Sequence, residues 1–251
     1  MEAYVKAEDI KEGISEISFF HPAHNSLPSD LLSQLASIIT ETGQRDDIKV
    51  IILKSFGNRT FCAGASFNEL ISIEDFPTGK RFFMGFANVI NACRKCPKLI
   101  IGRVQGKAVG GGVGLAAAVD YCLATQYASI KLSELAVGIG PFVVGPAVER
   151  KLGLSAFSQL AINATAFRSA QWAKDKGLYA EVFDKTEDLD QAVLDLAEQL
   201  ASHNPEAASQ IKRICWEGAG DWDELLEERA EISGKLVLSD YTKAALKRFG
   251  K

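Results

Sequence analysis

Four glycines stand within five residues in Gly110-Gly111-Gly112-Val113-Gly114, and the small apolar run Leu115-Ala116-Ala117-Ala118 follows them. Glycine leaves backbone N–H groups accessible, and the run reads as the opening of a buried helix. A helix N-terminus carries unpaired donors and partial positive charge, which suit a phosphate or a developing oxyanion. A second small-residue cluster, Phe61-Cys62-Ala63-Gly64-Ala65-Ser66-Phe67, follows a strand-like stretch and a loop with Gly57 and Asn58. Two such loops, each after a strand, can aim two backbone donors at one oxygen, as an oxyanion hole requires. A rival pattern overlaps the first cluster. Gly112-Val113-Gly114-Leu115-Ala116-Ala117 fits the relaxed dinucleotide fingerprint, and Glu134, twenty residues past Gly114, is placed to hold a ribose. Against that reading, the fingerprint lies mid-chain, and residues 104–109 leave a gap where a tight turn off a strand belongs. Spacing alone leaves both readings open.

The elements that must position these residues follow from hydrophobic periodicity. Ile14–Phe20 reads as a strand, and residues 21–28 as a polar connection. Ser29 or Asp30 caps a helix with Leu31, Leu32, Leu35, Ile38 and Ile39 at helical spacing. The β-branched run Val50–Leu53 suits a strand buried on both faces. Residues 80–95 read as a helix, Leu99–Ile101 opens a strand, residues 112–124 read as a helix and 128–132 as a strand. Strand and helix alternate to about residue 185, the mark of an α/β layer fold, and from Glu187 the pattern is helical only. Pro205 opens one tail helix and Asp221 caps another. A division at residues 1–200 for the core and 201–251 for a helical region, packed on that core or on a neighbouring subunit, is expected without a linker between them.

Composition excludes several classes. A net charge of −4 argues against nucleic acid as a main partner. The first residues are acidic and lack the apolar core of a signal peptide, and the mostly apolar run 136–148 is too short to span a membrane. A cytoplasmic location without membrane contact is expected. Five cysteines, an odd number, suit reduced thiols. Cys93 and Cys96 form a lone CxxC, redox-active only if Arg94 and Lys95 lower a thiol pKa; otherwise they sit at a helix end stopped by Pro97. His21 and His24 flank Pro22 in a turn-like segment with no shared helical face, so no metal is expected there or elsewhere.

Residues 61–70, 104–121, 133–141 and 167–183, taken in order, resemble the enoyl-CoA hydratase/isomerase (crotonase) superfamily, and Asn25-Ser26-Leu27 is similar to its early Asn-x-Leu motif. The resemblance implies a spiral of ββα units with a C-terminal helical trimerisation region, a homotrimer or dimer of trimers, acyl-CoA thioester substrates and no cofactor beyond the CoA of the substrate. It implies that Ala65 and Gly111 supply the two oxyanion N–H groups and that Glu134 is the catalytic carboxylate. Asn25, Ala63, Gly64, Gly110, Gly114, Pro141 and Phe142 are the expected substrate-binding positions, with Ala63 and Gly64 beside the CoA adenine. Asp120 is expected to be structural, within a helix.

Two departures separate the chain from the hydratases of that family. Their second glutamate falls where this chain has Gly114, and their glycine after the proline falls where it has Phe142. Hydration needs one group to activate water and another to protonate C2, whereas moving a proton from C2 to C4 needs one base and an oxyanion hole. The departures therefore favour an isomerase with Glu134 alone, its pKa raised by apolar surroundings, over a hydratase. Glu69, Glu74 or Asp75 could restore a second carboxylate. Phe67, Phe82, Phe83, Phe86 and Phe142 either line an acyl pocket or fill the core. Arg59, Lys107, Lys243 and Lys247 are the cations available for CoA phosphates.

Overall fold

The computed structural model describes residues 1–249. The chain begins with an antiparallel pair, β1 (Tyr4–Lys11) and β2 (Ile14–Phe20). β1 gives no apolar alternation because it is a largely exposed, charged edge strand held by backbone pairing. After α1 (Ser29–Gln44) the chain winds in repeated strand–strand–helix turns. β3 (Val50–Ser55) and β4 (Thr60–Cys62) lead to α2 (Phe67–Ile71) and α3 (Phe76–Lys95). β5 (Leu99–Val104) and β6 (Lys107–Val109) lead to α4 (Gly111–Ala118). β7 (Tyr121–Thr125) and β8 (Ile130–Lys131) lead to a 3-10 turn (Glu134–Val137) and α5 (Gly145–Ile162). The first strand of each turn joins a six-stranded sheet, ordered β1-β2-β3-β5-β7-β9 and parallel beyond the opening pair. The second strands form a separate parallel sheet, β4-β6-β8. This is the ββα spiral that the sequence led us to expect.

The large sheet is covered on both faces. Ile51 and Leu53 face the main core with Leu35 of α1 and Val89 of α3, whereas Val50 and Ile52 face Leu189, Val193 and Ala197 of α7 (Thr186–Ser202). That two-sided burial explains why the run 50–53 lacks alternation. α6 (Ala170–Asp175) and β9 (Glu181–Phe183) precede α7; α8 (Pro205–Cys215), α9 (Trp222–Leu236) and α10 (Asp240–Phe249) follow it. Trp222, Leu226 and Ala230 of α9 belong to the same core as the spiral. The α3–α9 crossing is close: a Cβ on Gly234 would lie 2.8 Å from the Lys80 backbone nitrogen. Charged groups flank the contact, with Lys80 bridging Glu227 and Glu231 and with Arg94 and Lys95 both on Asp223.

Several expectations need correction. Neither Ser29 nor Asp30 caps α1 with its side chain; Glu69 of α2 accepts the Ser29 N–H at 3.0 Å and the Ser29 hydroxyl at 2.7 Å. The helix expected over 112–124 ends at Ala118, and Tyr121–Thr125 is a strand. A buried strand follows a buried helix there with only Asp120 as polar punctuation, so periodicity could not divide them. Asp120 accordingly lies between elements, not in a helix. Its carboxylate accepts the Ile100 N–H and the Trp216 indole N–H and pairs with Lys212 at 2.8 Å. Asp221 begins α9 without a side-chain cap bond. The redox reading of Cys93 and Cys96 fails as well: Arg94 and Lys95 turn to Asp223, and burial pushes the Cys93 thiol up to about 12.

Candidate active site

The three segments singled out by sequence meet at the carboxyl ends of β4, β6 and β8, because one spiral turn supplies each strand of the small sheet. Beyond β4 come Ala63, Gly64 and Ala65; beyond β6, Gly110 and Gly111; beyond β8, Ser133 and Glu134. β6 runs directly into Gly110, so the expected gap before the glycines does not exist.

The first loop is pinned to the segment before α1. Leu27 N–H donates to the Gly64 carbonyl at 2.8 Å, and Ser66 N–H donates to the Leu27 carbonyl at 3.0 Å. This bridge skips the Ala65 N–H. The Gly111 N–H opens α4, and among the described residues no acceptor takes either group. The two loops touch: a Cβ built on Gly64 would lie 3.4 Å from the Gly111 nitrogen and 3.1 Å from the Val109 carbonyl oxygen. Two unpaired backbone donors therefore lie on touching loops, one of them at a helix N-terminus.

Gly110 adopts φ +53° and ψ −118°, a conformation open to glycine, and a Cβ there would lie 3.1 Å from Glu134 Oε1. The Glu134 carboxylate thus lies over the Gly110 backbone beside the donor pair. Its Oε2 is buried with no hydrogen-bond partner. Loss of hydration penalises the charged form and raises the carboxyl pKa from 4.5 to about 7, outweighing nearby backbone donors. A buried, unsatisfied carboxylate oxygen costs stability, and a group poised to exchange a proton near neutral pH is what such a cost sustains.

These groups border a cavity of about 400 Å³. Ala63, Gly64, Ala65, Gly110, Gly111, Glu134, Pro141 and Phe142 all line it. So do Phe67, Phe82, Phe83 and Phe86; the rings of Phe82 and Phe83 meet edge to face at 5.1 Å. The Phe142 ring also closes over Gly140, where a Cβ would lie 2.3 Å away.

Two expected binding positions lie outside the cavity lining. Asn25 is buried in the loop, accepting the His21 N–H and donating to the carbonyls of Phe56 and Thr60 at 2.9 Å each. Gly114 lies within α4, where a Cβ would stand 2.5 Å from Val144 Cγ1. Gly112 is equally confined, with a Cβ position 2.3 Å from the Cys62 carbonyl oxygen. The last two glycines therefore serve helix packing, which removes the basis of the dinucleotide reading.

Glu69 and Asp75 cap α1 and α3, and no carboxylate other than Glu134 lines the cavity among the described residues. Arg59, Lys107, Lys243 and Lys247 do not line it either; Lys107 and Lys131 stand over the Phe167 ring at 5.3 and 4.5 Å. His21 and Ser233 are polar lining residues that sequence reasoning did not place at the site. His21 accepts the Ala23 N–H on Nδ1 at 3.2 Å, and Ser233 arrives from α9, with no local signal to announce it.

Fold and site together place two unpaired backbone donors and one buried carboxylate in the same cavity. The family model for enoyl-CoA hydratase/isomerase matches residues 9–244. The chain belongs to the enoyl-CoA hydratase/isomerase family, with the crotonase fold. It is 30% identical over 235 residues to the peroxisomal Delta(3,5)-Delta(2,4)-dienoyl-CoA isomerase of Arabidopsis thaliana, covering 85% of this chain and 82% of that protein. It is 27% identical to the short-chain-enoyl-CoA hydratase of Clostridium acetobutylicum, over 95% of this chain and 92% of the other. The crystal structure of an enoyl-CoA hydratase from Bacillus halodurans superposes with a TM-score of 0.90, over 98% of this chain and 99% of that one, at 21% identity. Among the described residues no helix is long and apolar enough to cross a membrane.

Proposed function

We propose that the protein moves a double bond in an acyl-CoA thioester, as a Δ3-Δ2-enoyl-CoA isomerase, with Glu134 as sole acid and base. The Glu134 carboxylate takes a proton from C2 of a 3-enoyl-CoA. The electron pair delocalises into the thioester carbonyl, whose oxygen accepts hydrogen bonds from the Ala65 and Gly111 N–H groups. Glu134, now neutral, returns the proton to C4, and the double bond lies between C2 and C3. Protons and electrons balance without a redox or metal partner, in keeping with no cofactor beyond the substrate's own CoA.

The observation that carries this reading is that Glu134 is the one carboxylate lining the cavity among the described residues. Its pKa of about 7 suits a group that must both take and give a proton. Phe142 supports it by lining the same cavity with an apolar ring. The similarity to the dienoyl-CoA isomerase lends support, since that protein also relocates double bonds. Syn hydration of a 2-enoyl-CoA is the second reading, favoured by the similarity to the Clostridium hydratase along nearly the whole chain. A cytoplasmic homotrimer or dimer of trimers is the accompanying proposal for assembly and location.

Ultraviolet absorbance of the conjugated thioester separates the readings. The proposal expects absorbance to rise with a medium-chain 3-enoyl-CoA and to stay nearly constant with the 2-enoyl-CoA. Rapid loss of absorbance from the 2-enoyl-CoA identifies a hydratase, and silence with both overturns the proposal.

A further inference from the structure

A second groove of about 490 Å³ shares no lining residue with the cavity around Glu134. It opens at the amino ends of β5 and β7, in the large sheet and not the small sheet that carries the Ala65, Gly111 and Glu134 loops, and is closed by α5, α7 and α8. Its size falls within the range of about 300–1,000 Å³ common for small-molecule sites. Ile101, Tyr121, Leu196, Leu200 and Ile211 give it a long apolar wall.

One end is cationic. Arg150, Lys151 and Lys212 line it together with a single acid, Asp120. Lys212 is 2% exposed and its charge is met by Asp120 at 2.8 Å. The Asp120 carboxylate is fully engaged, since it also accepts from the Ile100 N–H and the Trp216 indole. Lys151 finds only the Asp120 backbone carbonyl, at 2.8 Å. Arg150 stacks on the Trp216 ring, 3.8 Å from its centroid, and donates to the Cys215 carbonyl. Among the described residues no carboxylate pairs with Arg150 or Lys151. Two half-buried cations, with the already engaged Asp120 as the one carboxylate lining the groove, therefore stand at the head of an apolar wall. Burial lowers the pKa of both against the opposing pull of Asp120, a cost that a bound anion would reduce.

We propose that this groove is a second ligand site for a fatty-acid-like carboxylate, its anion held by Arg150 and Lys151 and its alkyl chain laid along the apolar wall. A guanidinium and an ammonium side by side suit a carboxylate head, and the apolar wall rewards each methylene removed from water. The site is independent of the reaction assigned to Glu134.

The test is calorimetric titration of the whole protein with decanoate in the presence of saturating octanoyl-CoA, which holds the catalytic cavity and has no double bond to move. The expected result is saturable binding at one site per chain. Octanoate should bind more weakly by roughly fourfold for each methylene lost, and decyltrimethylammonium should not bind. Lys151→Gln should weaken decanoate binding at least about tenfold. Ile211→Glu places a carboxylate at the groove mouth on a side chain already 56% exposed, so folding is preserved while the anion is repelled. Displacement of decanoate by octanoyl-CoA, unchanged affinity in both variants, or absence of binding would each overturn the proposal.

Discussion

Glu134→Gln separates the chemistry of the buried carboxylate from its effect on stability. The carboxyl pKa rises from 4.5 to about 7 on folding, mainly because burial penalises the anion. A folded-state pKa above the unfolded value means that the native protein binds the proton more tightly. The neutral form therefore carries no penalty below about pH 4.5, and native stability falls as pH rises from 4.5 to about 7. At 1.36 kcal/mol for each pKa unit, the full penalty above neutrality is roughly 3 kcal/mol. Glutamine keeps the shape and never ionises. Glu134→Gln should thus match the wild type at pH 4.5 and exceed it by up to about 3 kcal/mol at pH 8, or roughly 6–12 °C in Tm for a chain of this size. Thermal melts and urea titrations of both proteins across that range make the measurement. Isomerisation should fall by about 10²–10⁴-fold in the variant, while octanoyl-CoA binding persists. In the wild type, kcat/KM should rise with pH through an apparent pKa near 7, because the base must be ionised in the free enzyme. Parallel stability curves for the two proteins at every pH would refute the claim that burial sets this pKa. Turnover retained in the variant would refute the role of Glu134.

Gly111→Ala should lower kcat by about 10²–10³-fold, because the added Cβ would lie 2.3 Å from the Phe86 ring and must shift the donor it carries; kcat and KM measured together would check this. Gly114→Glu should not create a hydratase, since its Cβ would meet Val144 Cγ1 at 2.5 Å, and a cost of about 1–3 kcal/mol should appear in urea unfolding. Asp120→Ala should cost about 3–5 kcal/mol by leaving Lys212 buried and unpaired, and Asp120→Ala/Lys212→Met should recover much of it in the same assay. Glu69→Ala should lose about 1 kcal/mol through the uncapped α1 while leaving isomerisation at the wild-type rate, separating the cap from any second catalytic carboxylate.

The sequence by itself determined the local grammar of this protein. The β-branched run 50–53, the helical pattern over 80–95, and the glycine cluster at 110–114 each gave its element or its exposed donors, because those signals act within a few residues. The motifs around Ala65, Gly111 and Glu134 carried the family. Tertiary structure decided what local signals do not encode. Tyr121–Thr125 became a strand because the spiral offered it a partner in β5, not because its pattern differs from a buried helix. Glu69 became the cap of a helix forty residues earlier in the chain, and Asn25 a brace for its own loop. Gly112 and Gly114, which match a nucleotide motif by spacing, proved to be contact points for Cys62 and Val144. Ser233 reached the cavity from α9, and Arg150 and Lys151 met the apolar wall of a second groove. The physical reason is common to all of these. Partners distant in sequence are brought together only by the winding of β4, β6 and β8 into one small sheet and by the helices that close over it, and the pKa of Glu134 exists only once that closure has removed its water.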